Sequence, residues 1–401
     1  KQNMLIGLGV VKLLCNLIAQ EPKKLIKEEA LQVSIACLLG GNKDTQEYFG
    51  DYIKKDASNQ FIISLKDMLL EAFESLDKSQ AKRNELKSKL IQIEKRLADL
   101  EEIESPTKAQ KVERNKTKEL KRVIEEDIKT TELDENENPA SYTTNELTVA
   151  RAINNAKVIL RFMQLLCENH NINLQNALRQ QLNEDEKGKN NSFDFCSFLS
   201  RRLEQFQRLL NNQTFDVCAQ LVDTLIESIQ GPCKLNQKAL VNSKIIDSSR
   251  EYISGYEREQ ELIPLGLESE EDLDSIGDLK KNIITMLTSL LEGEIDMEII
   301  NRMAMSLDFD IMKMRMLTVF HRFAEKTLCQ EGIQVKDIPI VKLNQKLQKD
   351  SFDDSVAEAF EIYILVHSLA DSIKIAEDHL QRDKFNADQW KAFEFIRYHT
   401  G

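Results

Sequence analysis

Two glutamates, Glu168 and Glu227, stand near the predicted C-terminal ends of two apolar helices. The helix macrodipole is negative at that end, so each carboxylate is disfavoured there by roughly several tenths of a kcal/mol. Two acids in such places favour a bound cation. Ca²⁺ takes about six to eight oxygen ligands in forgiving geometry, and two carboxylates supply about two to four of them. These residue types therefore predict half of a calcium site, which needs further ligands from elsewhere.

The elements that must position these acids follow from the spacing of apolar residues. Before Glu168, apolar residues recur at helical intervals and then give way to a polar run; they are Val158, Phe162, Leu165 and Leu166. Around Glu227 a second helical face comprises Val217, Leu221, Leu225 and Ile229. Gly231 and Pro232 stop this helix, because glycine accepts the left-handed terminal conformation and proline cannot continue the hydrogen-bond ladder. Both acids are therefore expected at helix ends.

The composition of the 401 residues predicts an all-α fold. Hydrophobic residues make up 41% and charged residues 30%, with only 13 glycines and 6 prolines, a profile that favours helices with short connections. The net charge of −13 argues against a nucleic-acid surface, which needs clustered lysine and arginine. No stretch reaches the ~18 apolar residues of a membrane span, so we expect membrane contact only through parts outside this chain. Because Lys1 opens an apolar helix, we expect a segment of a longer polypeptide.

Other constellations of reactive residues do not form a site. Cys167 and His170 have ligand-like spacing, but they supply only half of a zinc site, and Cys167 continues an apolar helix face. The seven cysteines are scattered and odd in number, which is typical of a reducing cytosol and not of a disulfide framework. The sequence has five histidines, no nucleophile motif, no glycine-rich phosphate loop and no HExxH motif. We therefore predict that the protein is not an enzyme.

The order of the segments predicts five parts. Residues 1–77 hold apolar helices separated by glycine or proline stops, which is typical of armadillo or HEAT helix pairs, and the fourth helix is expected to end near Leu76. Residues 78–131 are predicted to form a charged helical hairpin, residues 132–146 a polar linker and residues 147–331 a second helical domain. Residues 332–401 are predicted to form C-terminal helices.

The hairpin is predicted from a heptad-like apolar seam in an otherwise charged stretch. The seam comprises Leu86, Leu90, Ile93, Leu97 and Leu100 and, after a break at Ser105-Pro106, Val112, Leu120, Val123, Ile124 and Ile128. A coiled-coil-like arm of this kind could dock a partner. It could equally be a solvated insertion without a special role.

Two long motifs carry a resemblance to a known family. Residues 161–181 read RFMQLLCENHNINLQNALRQQ, and residues 225–237 read LIESIQGPCKLNQ. In this order they resemble the RIH-associated region shared by inositol trisphosphate receptors and ryanodine receptors, the tetrameric calcium-release channels of intracellular stores. Residues 37–56, CLLGGNKDTQEYFGDYIKKD, resemble the armadillo-type repeats that precede that region. Residues 279–304 look closest to the ryanodine branch, whereas AFEIYILVHSLA, residues 359–370, resembles the inositol trisphosphate receptor segment before the membrane domain.

The resemblance implies a role for the two acids. In the family, two glutamates at the positions of Glu168 and Glu227 form a cytosolic calcium site that promotes opening, and a main-chain oxygen from the segment beyond the pore completes it. His170 and Gln230 match polar residues that stand behind these ligands in the ryanodine branch. The resemblance therefore implies a calcium ion as the cofactor. It also implies that the channel's own pore segment is the partner that supplies the missing ligand.

The expected function follows from this resemblance: a cytosolic regulatory segment of a ligand-gated intracellular calcium-release channel, which senses cytosolic calcium and transmits the signal to the pore. A homotetramer is implied, at the cytosolic face of a store membrane such as the endoplasmic reticulum, with residues 332–401 leading toward a membrane module outside this chain. A calcium-independent helical scaffold derived from the same fold stays open as the alternative. The two ends of the chain resemble different branches, so the motifs leave open whether inositol trisphosphate gates the channel.

Overall fold

The computed structural model describes residues 2–56, 58–103, 105, 107–129, 144–181, 192–207, 210–211, 214–255, 270–293, 296–347 and 354–400. Within these ranges the chain forms nineteen α-helices and two short 3₁₀ turns, with no β-strand, which confirms the predicted all-α class. None of these helices is both long and apolar enough to cross a membrane. Positions 132–143 of the predicted linker lie outside the described residues, and 144–146 begin a helix.

The described helices stack as successive three-helix repeats. The first repeat is α1 (Gln2–Gly7), α2 (Val10–Gln20) and α3 (Lys24–Leu38), and the second is α4 (Lys43–Lys55), α5 (Gln60–Glu101) and α7 (Thr144–Cys167). The third is α8 (Ile172–Arg179), α9 (Phe195–Phe206) and α10 (Phe215–Ile229), and the fourth is α11 (Lys234–Val241), α12 (Ile245–Ser254) and α13 (Glu270–Ser289). The fifth is α14 (Met297–Ser306), α15 (Phe309–Leu328) and α17 (Asp354–Ala370). Helices α6 (Lys108–Lys129) and α16 (Ile340–Leu347) are insertions, and α18 (Lys374–His379) and α19 (Ala387–Thr400) follow.

The repeats stack so that equivalent helices lie side by side. The third helices pack in the order α3, α7, α10, α13 and α17, and the short first helices α1, α4, α8 and α11 do the same. Their apolar faces form one continuous hydrophobic core along the array. Among the described residues, the main helix–helix contacts join helices of the same repeat or of adjacent repeats, as in an armadillo-type helical solenoid. The same stacking continues across the predicted boundaries, so the predicted domains share one repeat architecture.

The charged arm grows directly out of the second repeat. The predicted helix end near Leu76 is wrong, because α5 continues to Glu101 without a glycine or proline to stop it, and α6 then packs back along it. At the base of the arm, buried Arg202 donates to both carboxylate oxygens of Asp77 at 2.9 and 2.7 Å and lies over the ring of Phe73 at 4.5 Å. Leu86, Ile124 and Ile128 form a separate small core within the arm, whereas three predicted seam residues, Val112, Leu120 and Val123, are exposed.

One glutamine in each of the first four repeats closes the end of that repeat's third helix. Its side-chain Nε2 donates to two main-chain carbonyls that lie three residues apart. We call these four residues the clamp glutamines. Their contacts are Gln2 with Ala36 and Leu39 (3.0 and 3.0 Å), Gln46 with Leu165 and Glu168 (2.9 and 2.8 Å), Gln175 with Glu227 and Gln230 (2.7 and 2.8 Å), and Gln237 with Ser289 and Glu292 (2.9 and 3.3 Å). The last carbonyls of a helix have no intrahelical donor, so the clamps satisfy groups that burial would leave unpaired.

Asparagines at two helix starts hold the clamp glutamines in turn. Asn42 caps the start of α4, and its Nδ2 donates to Oε1 of Gln2, the clamp glutamine of the first repeat, at 3.1 Å. Asn171 caps α8, and its Nδ2 donates to Oε1 of Gln46, the clamp glutamine of the second repeat, at 3.2 Å. Cys233 occupies the same place before α11 and has no amide to donate. As a result, the buried Oε1 atom of Gln175 has no hydrogen-bond partner.

Cys233→Asn is expected to repair this defect and stabilise the protein. A buried acceptor without a donor costs about 1–3 kcal/mol, and asparagine is also a better helix cap than cysteine. We expect a gain of about 1 kcal/mol, seen as a higher urea midpoint by circular dichroism and as slower amide exchange in α8 and α11. Cys233→Ser, which caps the helix but cannot reach Gln175, should gain less. A lower midpoint for Cys233→Asn than for wild type would show that the repeats do not share this contact.

Candidate functional site

The structure places both predicted acids at helix ends. Glu168 follows Cys167, the last residue of α7, and Glu227 lies in the last turn of α10. The main-chain carbonyl of each glutamate accepts a hydrogen bond from a clamp glutamine, at 2.8 and 2.7 Å. Asn169 and His170 adopt positive φ angles of 62° and 58°, so the chain turns away sharply after Glu168.

Helices α7 and α10, which carry the two acids, pack with a fixed register. Lys157 Nζ on α7 lies 2.5 Å from Asp216 Oδ2 on α10, a contact between residues 59 apart in sequence. Glu168 and Glu227 are also 59 residues apart. Glu168 lies 11 residues after Lys157, and Glu227 lies 11 residues after Asp216. Eleven residues are about three helical turns, so both acids return to the face where the ion pair forms. The charge of Glu168 also raises the pKa of Glu227, so we infer that this register brings the two side chains near each other.

The same register recurs at the next junction, between α10 and α13. Asn282 Nδ2 donates to Asp223 Oδ1 at 3.0 Å, and Gln230 Nε2 donates to Ser289 Oγ at 3.3 Å, in both cases across 59 residues. Each clamp glutamine donates to two carbonyls of its repeat. Glu168 and Gln230 each carry the second of these carbonyls in their repeats, and Glu227 and Ser289 each carry the first. The pair Gln230 and Ser289 is therefore equivalent to the pair Glu168 and Glu227 at the junction before it. Residues at these equivalent positions are in direct contact, which supports the pairing of the two acids.

Three described junctions place different residues at these equivalent positions. Between α10 and α13 they are the hydrogen-bonded Gln230 and Ser289, and between α7 and α10 they are Glu168 and Glu227. Between α3 and α7 they are Leu39, which is half exposed, and the buried Leu165. Two carboxylates repel each other, whereas these uncharged residues do not. The fold therefore does not require acids at the middle junction.

The surroundings of Glu227 disfavour its ionised form. Burial raises the pKa of Glu227 above its ordinary value, and the negative charge of Glu168 raises this pKa further. His170 and Arg161 lower the pKa of Glu227, and Asp223 raises it by a smaller amount. The Oε2 atom of Glu168 is buried and has no hydrogen-bond partner. A buried carboxylate oxygen without a donor is costly unless a cation or another donor reaches it. The pair is thus suited to bind a positive charge.

Glu292 shows how a glutamate at the position of Glu168 is otherwise satisfied. Its main-chain carbonyl accepts from the clamp of the fourth repeat, and its Oε2 accepts from the main-chain N–H of Gly231 at 2.9 Å. Oε2 of Glu168 has no such donor among the described residues. Glu292 and Glu168 therefore occupy equivalent positions in their repeats, but only the carboxylate of Glu292 accepts a hydrogen bond through Oε2 from a described residue.

The two supporting residues predicted beside the acids lie on different sides of them. His170 packs so closely on Gly231 that a Cβ there would lie 2.4 Å from His170 Cβ, so this contact, with a φ of 92°, requires glycine. His170 thereby joins the turn after α7 to the turn after α10. Gln230 instead directs its amide to Ser289, so this hydrogen bond belongs to the next junction.

Sequence reasoning missed the residues that hold the acids in place. Gln46 and Gln175 each lie four residues after a capping asparagine, so the spacing Asn-x-x-x-Gln marks both clamps and could have revealed them. Asp223 was also missed; burial raises its pKa, and Arg161 and the amide of Asn282 lower it. These groups extend the polar seam between the third helices beyond the acid pair.

The acid pair is at most part of a metal site. Among the described residues, no group of three or more histidine, cysteine, aspartate and glutamate side chains could hold a metal ion. Burial raises the pKa of the Cys167 thiol well above its ordinary value, which opposes the thiolate that zinc binding requires. Glu168 and Glu227 therefore stay a pair that needs further oxygens, as their residue types predicted.

Comparison with known proteins finds a similarity over this part of the chain. The family model described as RyR and IP3R Homology associated matches residues 150–253, which include both glutamates. Residues 150–253 are therefore similar to an RIH-associated region. The inositol 1,4,5-trisphosphate receptor itr-1 of Caenorhabditis elegans is 39% identical over 88 residues, which cover 20% of this chain and 3% of that receptor. The resemblance predicted from the two motifs is confirmed.

Replacing Glu227 tests the electrostatics of the acid pair in the RIH-associated region. The pKa of Glu227 is higher in the folded protein than in the unfolded chain, because the fold disfavours the ionised form. The free energy of unfolding therefore falls as the pH rises from the unfolded-state pKa through the folded-state pKa. Glu227→Gln is therefore expected to unfold at higher urea than wild type at pH 7.5 with a calcium chelator. The advantage should vanish toward pH 4. Urea unfolding followed by circular dichroism between pH 4 and 8 measures this.

Glu292→Gln is the control for that experiment, because Gly231 already donates to the Glu292 carboxylate. It should show no gain at pH 7.5. Equal midpoints for wild type and Glu227→Gln across the range would mean that the two acids do not repel each other in the fold.

Proposed function

We propose that this chain is the calcium-sensing part of the cytosolic portion of a ligand-gated intracellular calcium-release channel. The observation that supports this most is the junction between α7 and α10, where two glutamates stand at positions that uncharged residues occupy at the equivalent junctions, and one buried carboxylate oxygen lacks a hydrogen-bond partner among the described residues. Both glutamates lie inside the RIH-associated region, and the matched worm protein is an inositol trisphosphate receptor.

The residues present fit a calcium ion in part. Glu168 and Glu227 would hold it through their carboxylates, with His170 and Gln230 behind them. A bound Ca²⁺ supplies two positive charges that offset the repulsion between the carboxylates. In this proposal the remaining oxygen ligand is a main-chain oxygen of the same channel's pore segment, outside this chain. The pore segment is therefore the partner through which the site is completed.

A site shared between two modules links calcium binding to their relative position. An ion can favour a conformation only through ligands that are better placed in that conformation than in the other. The repeats fix two ligands, and the pore segment brings the third, so calcium favours the arrangement in which the two modules meet. This is how the chain would transmit the signal to the pore.

The proposal places the chain at the cytosolic face of an intracellular calcium-store membrane such as the endoplasmic reticulum, in a homotetramer. It assigns the membrane crossing to other parts of the channel subunit. No catalytic step belongs to it. The clamped turns provide rigid support for the acids, and the charged arm of α5 and α6 lies outside the proposed site.

A double substitution that copies the neighbouring junction tests this function. Glu168→Gln with Glu227→Ser reproduces the neutral pair of Gln230 and Ser289, so folding should be preserved. Loss of one charge-assisted contact costs about 1.5–3 kcal/mol, or roughly a tenfold to hundredfold change in affinity. We therefore expect the complete channel subunit, reconstituted in bilayers, to need at least about tenfold more calcium for activation. Calcium-evoked flux measures the shift.

Glu292→Gln serves again as the matched control and should activate like wild type, since Gly231 holds that carboxylate. If the double variant assembles and opens at the calcium concentration that opens wild type, the two glutamates are not calcium ligands. A calcium-independent helical scaffold would then be the better description of this chain.

A further inference from the structure

We propose that Gln46 and Gln175 are positioning residues for the calcium site, an inference that rests on the proposed function. Neither side chain reaches a carboxylate in its described contacts; each holds the main chain of one glutamate. Gln46 Nε2 lies 2.8 Å from the carbonyl oxygen of Glu168, and Gln175 Nε2 lies 2.7 Å from that of Glu227. Both glutamine side chains are about 1% exposed, so water cannot replace them in these contacts.

The clamp glutamines fix the main-chain positions from which the two carboxylate side chains extend. Glu168 lies just outside α7, and the left-handed residues Asn169 and His170 that follow cannot continue the helix, so its carbonyl depends on a donor from α4 of the same repeat. Glu227 is still inside α10, but its carbonyl belongs to the last turn and has no intrahelical donor. Fixing these two carbonyls fixes the origin of each side chain.

The clamps also change the local electrostatics. The free carbonyls at a helix end carry the negative end of its dipole, which opposes a carboxylate nearby. An amide N–H placed on these carbonyls offsets part of that negative potential at Glu168 and Glu227.

Gln237 provides a matched control within the same chain. It donates to the carbonyls of Ser289 and Glu292 at 2.9 and 3.3 Å, and its side chain is fully buried. The contact is the same as that of the other clamps, but the junction it holds carries no opposed acid pair. A purely structural role would make all three glutamines equivalent in every measurement.

The test compares Gln46→Met, Gln175→Met and Gln237→Met, because methionine keeps the length of glutamine and removes the donor. All three should lower the urea midpoint by similar amounts. Removing groups that orient metal ligands typically weakens metal affinity by about tenfold or more, so we expect about a tenfold loss for Gln46→Met and Gln175→Met and no loss for Gln237→Met. Calcium affinity is read from equilibrium dialysis of the complete channel subunit, which supplies the remaining ligand, with radioactive calcium. The urea midpoint of this chain is measured separately for each variant.

Asn171→Ser is a milder variant for the case in which Gln46→Met does not fold. Serine still caps α8 but removes the amide that holds Gln46 Oε1 at 3.2 Å, so calcium affinity should fall by a smaller factor while the fold persists. Equal calcium affinity in wild type, Gln46→Met and Gln175→Met, or an equal loss in Gln237→Met, would overturn the positioning role. If Glu168→Gln with Glu227→Ser binds calcium like wild type, the proposed function itself fails, and the positioning role fails with it.

Discussion

The carbonyl groups at the ends of the long third helices are the constraint on which this fold depends. A helix leaves its last carbonyls without intrahelical donors, and in a stacked repeat these groups lie under neighbouring helices instead of in water. The first four repeats meet this constraint with one side chain each, a glutamine from the first helix that donates to two carbonyls at once. Because the two acceptors always lie three residues apart, each clamp fixes both the end and the rotation of its helix.

Helix ends that are fixed in this way set the register between neighbouring repeats. One side-chain contact between the second and third repeats and two between the third and fourth therefore join residues 59 apart, which is also the separation of Glu168 and Glu227. The Gln230–Ser289 contact shows that this register forms without acids. Two carboxylates that face each other lower stability, and a local loss of stability is common at functional positions.

Local signals in the sequence were enough to predict the helix ends that carry Glu168 and Glu227. They could not predict the clamps, because Gln46 and its two acceptors are 119 and 122 residues apart and the charged arm lies between them. The same arm hid the three-helix period: α5 runs through the expected end at Leu76 because its charged residues are good helix formers. Which carbonyls a buried glutamine meets depends on the packing of repeats, and no short stretch of sequence contains that information.

The rigidity of the acid pair matters more to the proposed mechanism than its incompleteness. A complete calcium cage within the repeats would bind the ion wherever the pore segment stood, and a flexible half-site could close on the ion by itself. In neither case would binding depend on a second module. Here the main chain of each glutamate is held by a buried clamp glutamine on the first helix of the same repeat, which fixes the point from which each side chain extends. Completion of the site then requires movement of the module that brings the remaining oxygens, and a rigid half is what converts cation binding into a change of relative position.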